Sequence, residues 1–104
     1  MPDSQVRKII IIENDEFLSA IYKTKFESEG FKVTAINDGA KGLKAVQTKK
    51  PDIVLLDVLL PKLDGFTILQ ALKKDEATKD IPVVLLTNLG QKEDVKKGLE
   101  MGAA

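Results

Sequence analysis

Three short apolar runs limit what this chain can fold into: KIIIIE at residues 8–13, DIVLLD at 52–57 and PVVLLT at 82–87. All three are built from isoleucine, valine and leucine, and none alternates apolar with polar. Alternation marks a strand with one wet face. Its absence predicts strands buried on both faces, as in a parallel sheet with helices above and below. A fourth run, FKVTAIN at 31–37, does alternate, with Phe31, Val33 and Ala35 on one face and Lys32 and Thr34 on the other. That pattern predicts a less covered strand at the sheet's edge.

Helical spacing fills the intervals. From Asp15 onward, Phe17, Leu18, Ile21, Tyr22 and Phe26 trace one helical face, and Gly30 supplies a stop. Ala40, Leu43 and Val46 predict a second helix that ends before Pro51. Phe66, Leu69 and Leu72 predict a third, with Asp64 as its N-cap, and Val95 and Leu99 a fourth. Lysine pairs at 49–50, 73–74 and 96–97 fall late in these helices or just after them, where cations complement the negative helix end. This reads better than a nucleic-acid patch. The order βαβαβαβα implies an α/β doubly wound parallel sheet with right-handed crossovers.

Composition excludes much else. The 104 residues suit one domain, and 16 basic residues cancel 16 acidic ones, so no net charge draws the chain to nucleic acid or to an anionic membrane. Without cysteine or histidine there is no disulfide framework, thiol chemistry, histidine catalysis or ordinary zinc site. The apolar runs are too short to span a bilayer, and MPDSQVRK carries no signal-peptide core, so the expected location is the cytoplasm.

In open parallel sheets, sites form beyond the carboxyl ends of the strands, where the strand order reverses. With the alternating strand at the edge, the order is 2-1-3-4 and the reversal falls between strands one and three. Strand one ends in Glu13, Asn14, Asp15 and Glu16, strand three ends in Asp57, and Thr87 closes strand four. Clustered carboxylates raise one another's pKa unless a cation neutralises them. An all-oxygen ligand set suits a hard ion, Mg²⁺ above all. Singly, each residue has a plainer reading: Asp15 as a helix cap, Thr87 as a β-branched strand residue, Asp57 as a turn cap. Jointly they are harder to dismiss.

From Arg7 to its last residue the chain resembles a receiver domain of bacterial two-component signalling, of the chemotaxis response-regulator type. The resemblance rests on IIIIENDEF, on PDIVLLDVLLPKLDG with its D-x-x-x-P-x-x-D-G pattern, and on IPVVLLTN. It implies a flavodoxin-like sheet and a signalling switch that is not a turnover enzyme. Asp57 would accept a phosphoryl group from a sensor histidine kinase or phosphotransfer protein. Glu13, Asn14, Asp57 and the backbone carbonyl of Leu59 would hold Mg²⁺, and Thr87 would be the switch residue that bonds a phosphoryl oxygen.

Two departures stand out. The second residue of the usual acidic pair is Asn14, one formal charge short, with Asp15 displaced by one position. The sequence also stops at MGAA, before the fifth strand, its lysine and the fifth helix that the resemblance implies. Residues 1–104 therefore read as a single receiver domain lacking those elements. An open edge at strand four would then favour self-association into a homo-oligomer, and a structural module without phosphotransfer is the alternative. A flavin or nucleotide binder on the same sheet would need a glycine-rich loop where ENDE stands. A phosphatase of the haloacid dehalogenase type would need a second acid at Leu59.

Overall fold

The computed structural model describes residues 6–57, 60, 64–86 and 102. In chain order these form β1 (Lys8–Ile12), α1 (Glu16–Ser28), β2 (Lys32–Ile36), α2 (Gly39–Lys49), β3 (Ile53–Asp57), α3 (Gly65–Lys74) and β4 (Val83–Leu86). The strands make one parallel sheet in the order β2-β1-β3-β4. The fourth helix expected around Val95 and Leu99, together with Thr87 and Leu59, lies outside the described residues.

The two apolar faces of β1 and β3 feed two separate cores. Ile10, Ile12, Val54 and Leu56 pack with Val46 of α2 and with Ile68, Leu69 and Leu72 of α3. Ile9, Ile11 and Leu55 pack with Val33, Tyr22 and Phe26 on the α1 side. Burying one such aliphatic side chain is worth about 1.5–3 kcal/mol, so the unbroken isoleucine run of β1 contributes to both layers at once.

A strand apolar on both faces does not specify its own register, because a one-residue slip exchanges one apolar set for another. Polar ends supply what the pattern leaves open. The Lys8 amide donates to Asp52 Oδ2 at 2.7 Å, and the Asp52 amide donates back to the Lys8 carbonyl at 2.9 Å. On the other side of β1 the Glu13 amide donates to the Ile36 carbonyl at 3.0 Å and extends the pairing with β2. From the Lys8–Asp52 exchange onward, Ile9, Ile10, Ile11 and Ile12 pair with Ile53, Val54, Leu55 and Leu56.

The helix starts follow the expected chemistry. Asp15, Asp38 and Asp64 cap α1, α2 and α3 through side-chain oxygens that accept from Phe17 and Leu18, from Lys41 and from Thr67. Gly30, at φ 97°, lets the chain turn out of α1, a conformation that costs other residues free energy. Lys49, Lys73 and Lys74 do lie in last helical turns. Lys73 Nζ donates to the Lys79 and Ile81 carbonyls at 3.1 and 3.0 Å, pinning the connection into β4.

Two side-chain assignments need correction. Only Tyr22 and Phe26 of the predicted α1 face pack on the sheet, with Ser19 buried beside them. Phe17 is 74% exposed, and Leu18 and Ile21 are also exposed. A wide apolar stripe hid the true direction, which the small Ser19 marks. On β2, Val33 is buried as expected but Ala35 is exposed, while Ile36 joins the α2–α3 core.

Gly42 of α2 lies directly against β1. A Cβ there would come within 2.7 Å of Ile12 Cδ1 and Cγ1 and 2.9 Å of Cγ2. Ile12 is fully buried and has nowhere to go. Overpacking of about 1–3 kcal/mol then outweighs the roughly 0.5–1 kcal/mol that alanine gains over glycine in a helix. Gly42→Ala should therefore lower stability by about 1–2 kcal/mol, read as a lower urea midpoint. An unchanged or higher midpoint would show that Ile12 can yield.

Candidate functional site

The pairing of Ile12 with Leu56 places the next residue of each strand, Glu13 and Asp57, side by side at the carboxyl end of the sheet. Alternation turns both toward the face shared by Ile11 and Leu55. Glu13 is 4% exposed, and Asp57 is half-buried at the last position of β3, opposite Leu86. The two carboxyl groups are joined by a side-chain hydrogen bond. Two carboxyl groups can share such a bond only through a proton, which burial favours on Glu13. Burial raises the Glu13 pKa from 4.5 to about 7, and the bond to Asp57 and its negative charge add to the effect.

The Asp15 amide donates to Glu13 Oε2 at 3.2 Å and opposes that rise. Asp15 itself turns away from the pair. Its Oδ1 accepts from the Phe17 and Leu18 amides at 2.9 and 3.2 Å. Glu16 reaches instead toward Asn37, whose Nδ2 donates to Glu16 Oε1 at 3.5 Å. Asn14 is exposed at the start of the turn. The acidic cluster expected from ENDE and Asp57 thus condenses to two carboxyl groups in contact. Among the described residues no three acids converge as a ready-made metal cage. Thr87 and Leu59 lie outside the described part.

Beside Glu13 a cleft of about 420 Å³ opens between α1 and the end of β2, lined by Glu13, Glu16, Ser19, Lys23, Ile36 and Asn37 among others. The sequence gives no pattern for this cleft, because it depends on where α1 crosses the sheet. The link from Asp15 to Glu13 was likewise hidden, although the capping role of Asp15 was one of its two sequence readings.

An all-oxygen pair whose burial disfavours two negative charges fits a divalent cation. A cation would take the place of the shared proton and let both carboxylates ionise. Without cation the proton has a consequence for stability. The folded-state pKa of Glu13 lies above its unfolded value, so between about pH 4.5 and pH 7 the native chain binds more protons than the unfolded one. Stability should therefore fall as pH rises through this window in the presence of chelator, then level off. Glu13→Gln should flatten the profile, as read by urea unfolding at several pH values. A wild-type profile without that decline would contradict the shared proton.

Residues 9–104 match the response regulator receiver domain family. The chain is 43% identical over 96 residues to the DNA-binding dual master transcriptional regulator RpaA of Synechocystis, covering 92% of this chain and 40% of RpaA. It spans about two fifths of the length of the first curated relatives it matches. Among solved structures, the receiver domain of the Francisella response regulator 1452 superposes with a TM-score of 0.85 at 31% identity, covering 93% of this chain and 78% of that one. The receiver domain of the Pseudomonas aeruginosa sensor histidine kinase PA1611, solved with a magnesium ion coordinated in its active-site cleft, shares the fold. Its TM-score is 0.85 at 23% identity, over 94% of this chain and 80% of that one. The chain is a member of the response regulator receiver domain family of two-component signalling.

Proposed function

We propose that Asp57 is the phosphoacceptor of this receiver domain, taking its phosphoryl group from a phosphohistidine on a sensor histidine kinase or phosphotransfer protein. The observation that carries the reading is the contact between Glu13 and Asp57 at the strand-order reversal, where a buried carboxyl pair has no structural need to exist. A carboxylate oxygen of Asp57 attacks phosphorus in line. The P–N bond breaks, and its electron pair stays on the departing imidazole, which takes up a proton. Holding Asp57 at the end of a strand packed on both sides removes orientational freedom from the nucleophile.

Glu13, Asn14, Asp57 and the Leu59 carbonyl would hold Mg²⁺. The ion would supply charge neutralisation for the phosphoryl oxygens as they approach two acids. The magnesium ion in the Pseudomonas receiver domain supports this reading. Thr87 would receive a phosphoryl oxygen at the end of β4. Residues 1–104 act as one receiver domain working as a switch in the cytoplasm, and no helix among the described residues is long and apolar enough to cross a membrane. A second copy pairing along the outer edge of β4, the last strand of the sheet among the described residues, would make the chain a homo-oligomer, and a mass that rises with concentration in sedimentation is the expected result.

Asp57→Asn should abolish label uptake from radiolabelled acetyl phosphate while the chain stays folded. Uptake at the wild-type level would place the phosphoacceptor elsewhere. Asn14→Asp restores a charge beside the pair and should tighten Mg²⁺ binding by about tenfold, since cation affinity follows ligand charge. Equal or weaker affinity in a Mg²⁺ titration would show that Asn14 does not face the ion.

A further inference from the structure

Asp15 touches neither Asp57 nor the expected cation ligands with its side chain, yet it is joined to the site by a continuous run of hydrogen bonds. Its Oδ1 takes the Phe17 and Leu18 amides, and its carbonyl takes the Ser19 amide at 2.9 Å. Those three bonds fix the backbone of residue 15 at φ −78° and ψ 108°. In that position its own amide points back to Glu13 Oε2. With both Oδ1 bonds engaged by the helix, the side chain serves α1, while the amide serves the acid pair.

We infer that Asp15 is a positioning residue: by capping α1 it sets the backbone amide that orients the Glu13 carboxyl group toward Asp57. The inference rests on the reading of the crevice as a divalent-cation site. The start of α1 thereby sets the placement of one cation ligand. Loss of the cap frees the amide, and Glu13 loses the backbone donor that, among the described residues, holds Oε2. Groups that orient metal ligands from behind typically change affinity by about 10–100-fold when removed, and a single part-buried amide at 3.2 Å belongs at the low end of that range.

Cap and charge can be separated by substitution. Asp15→Asn keeps a capping oxygen without the charge, Asp15→Glu keeps the charge in a poorly capping side chain, and Asp15→Ala keeps neither. Mg²⁺ affinity, measured by titration followed in amide NMR spectra, should stay within about twofold of wild type for the asparagine variant. It should weaken roughly tenfold for the glutamate and alanine variants. Thr78→Ala is the control: it removes the bond from Thr78 Oγ1 to the Leu72 carbonyl, 2.7 Å, beyond the far end of α3, and should lower stability without moving Mg²⁺ affinity. Should the alanine variant fail to fold, the asparagine and glutamate pair still decides.

Equal weakening in the asparagine and glutamate variants, or wild-type affinity in the glutamate variant, overturns the inference. Hydrogen exchange at the residue 15 amide adds a reading that needs no metal. Protection kept in the asparagine variant and lost in the glutamate variant supports the cap as the source of the orientation, and equal protection in both overturns it. A wild-type chain that binds no Mg²⁺ but shows the first of these exchange patterns overturns the cation site alone.

Discussion

The register of β1 against β3 is the constraint on which the site depends. Ile12 pairs with Leu56, so the residues that follow them meet, and both carry carboxyl groups. A slip of one residue would send Glu13 to the opposite face of the sheet from Asp57. Because both strands are apolar on both faces, packing alone tolerates such a slip better than an alternating strand would. The polar exchange between Lys8 and Asp52, which uses the Asp52 side chain as well as its amide, restricts that freedom at the start of both strands. An exposed polar exchange at one end of the strands therefore helps fix where buried Glu13 and half-buried Asp57 sit at the other.

Once the acids meet, electrostatics dictates the states open to the site. Two ionised carboxylates in contact at low dielectric repel strongly. Without a cation the raised pKa of Glu13 favours a proton there, and a bound cation would supply positive charge instead. Proton and cation thus compete for the same place. A site built this way is poised between a neutralised resting form and one prepared to accept further negative charge. That is the requirement for taking up a phosphoryl group.

Much of this was legible in the sequence. The non-alternating runs gave the parallel sheet, the alternating run gave the edge strand, and together they placed the strand-order reversal beside Asp57. Caps at Asp15 and Asp64 followed from residue type and position. The facing of α1 did not, because Phe17, Leu18 and Ile21 add apolar width on the solvent side and only tertiary packing selects Tyr22 and Phe26. How far the acidic cluster narrows was legible only in part, because nothing in the sequence shows that Glu16 turns toward Asn37. Asp15 is engaged by the start of α1 and Glu16 by Asn37 beyond β2, leaving Glu13 to meet Asp57.

The central claim is that Glu13 and Asp57 form one cation-dependent phosphoryl site. Its most direct test is a beryllofluoride titration followed in amide NMR spectra, with and without Mg²⁺. The fluoride complex mimics a phosphoryl group on a carboxylate. The account predicts shifts centred on Asp57, Glu13 and the adjoining strand ends, present only when Mg²⁺ is supplied. Shifts of equal size without Mg²⁺, shifts centred elsewhere, or no response with both present would contradict it.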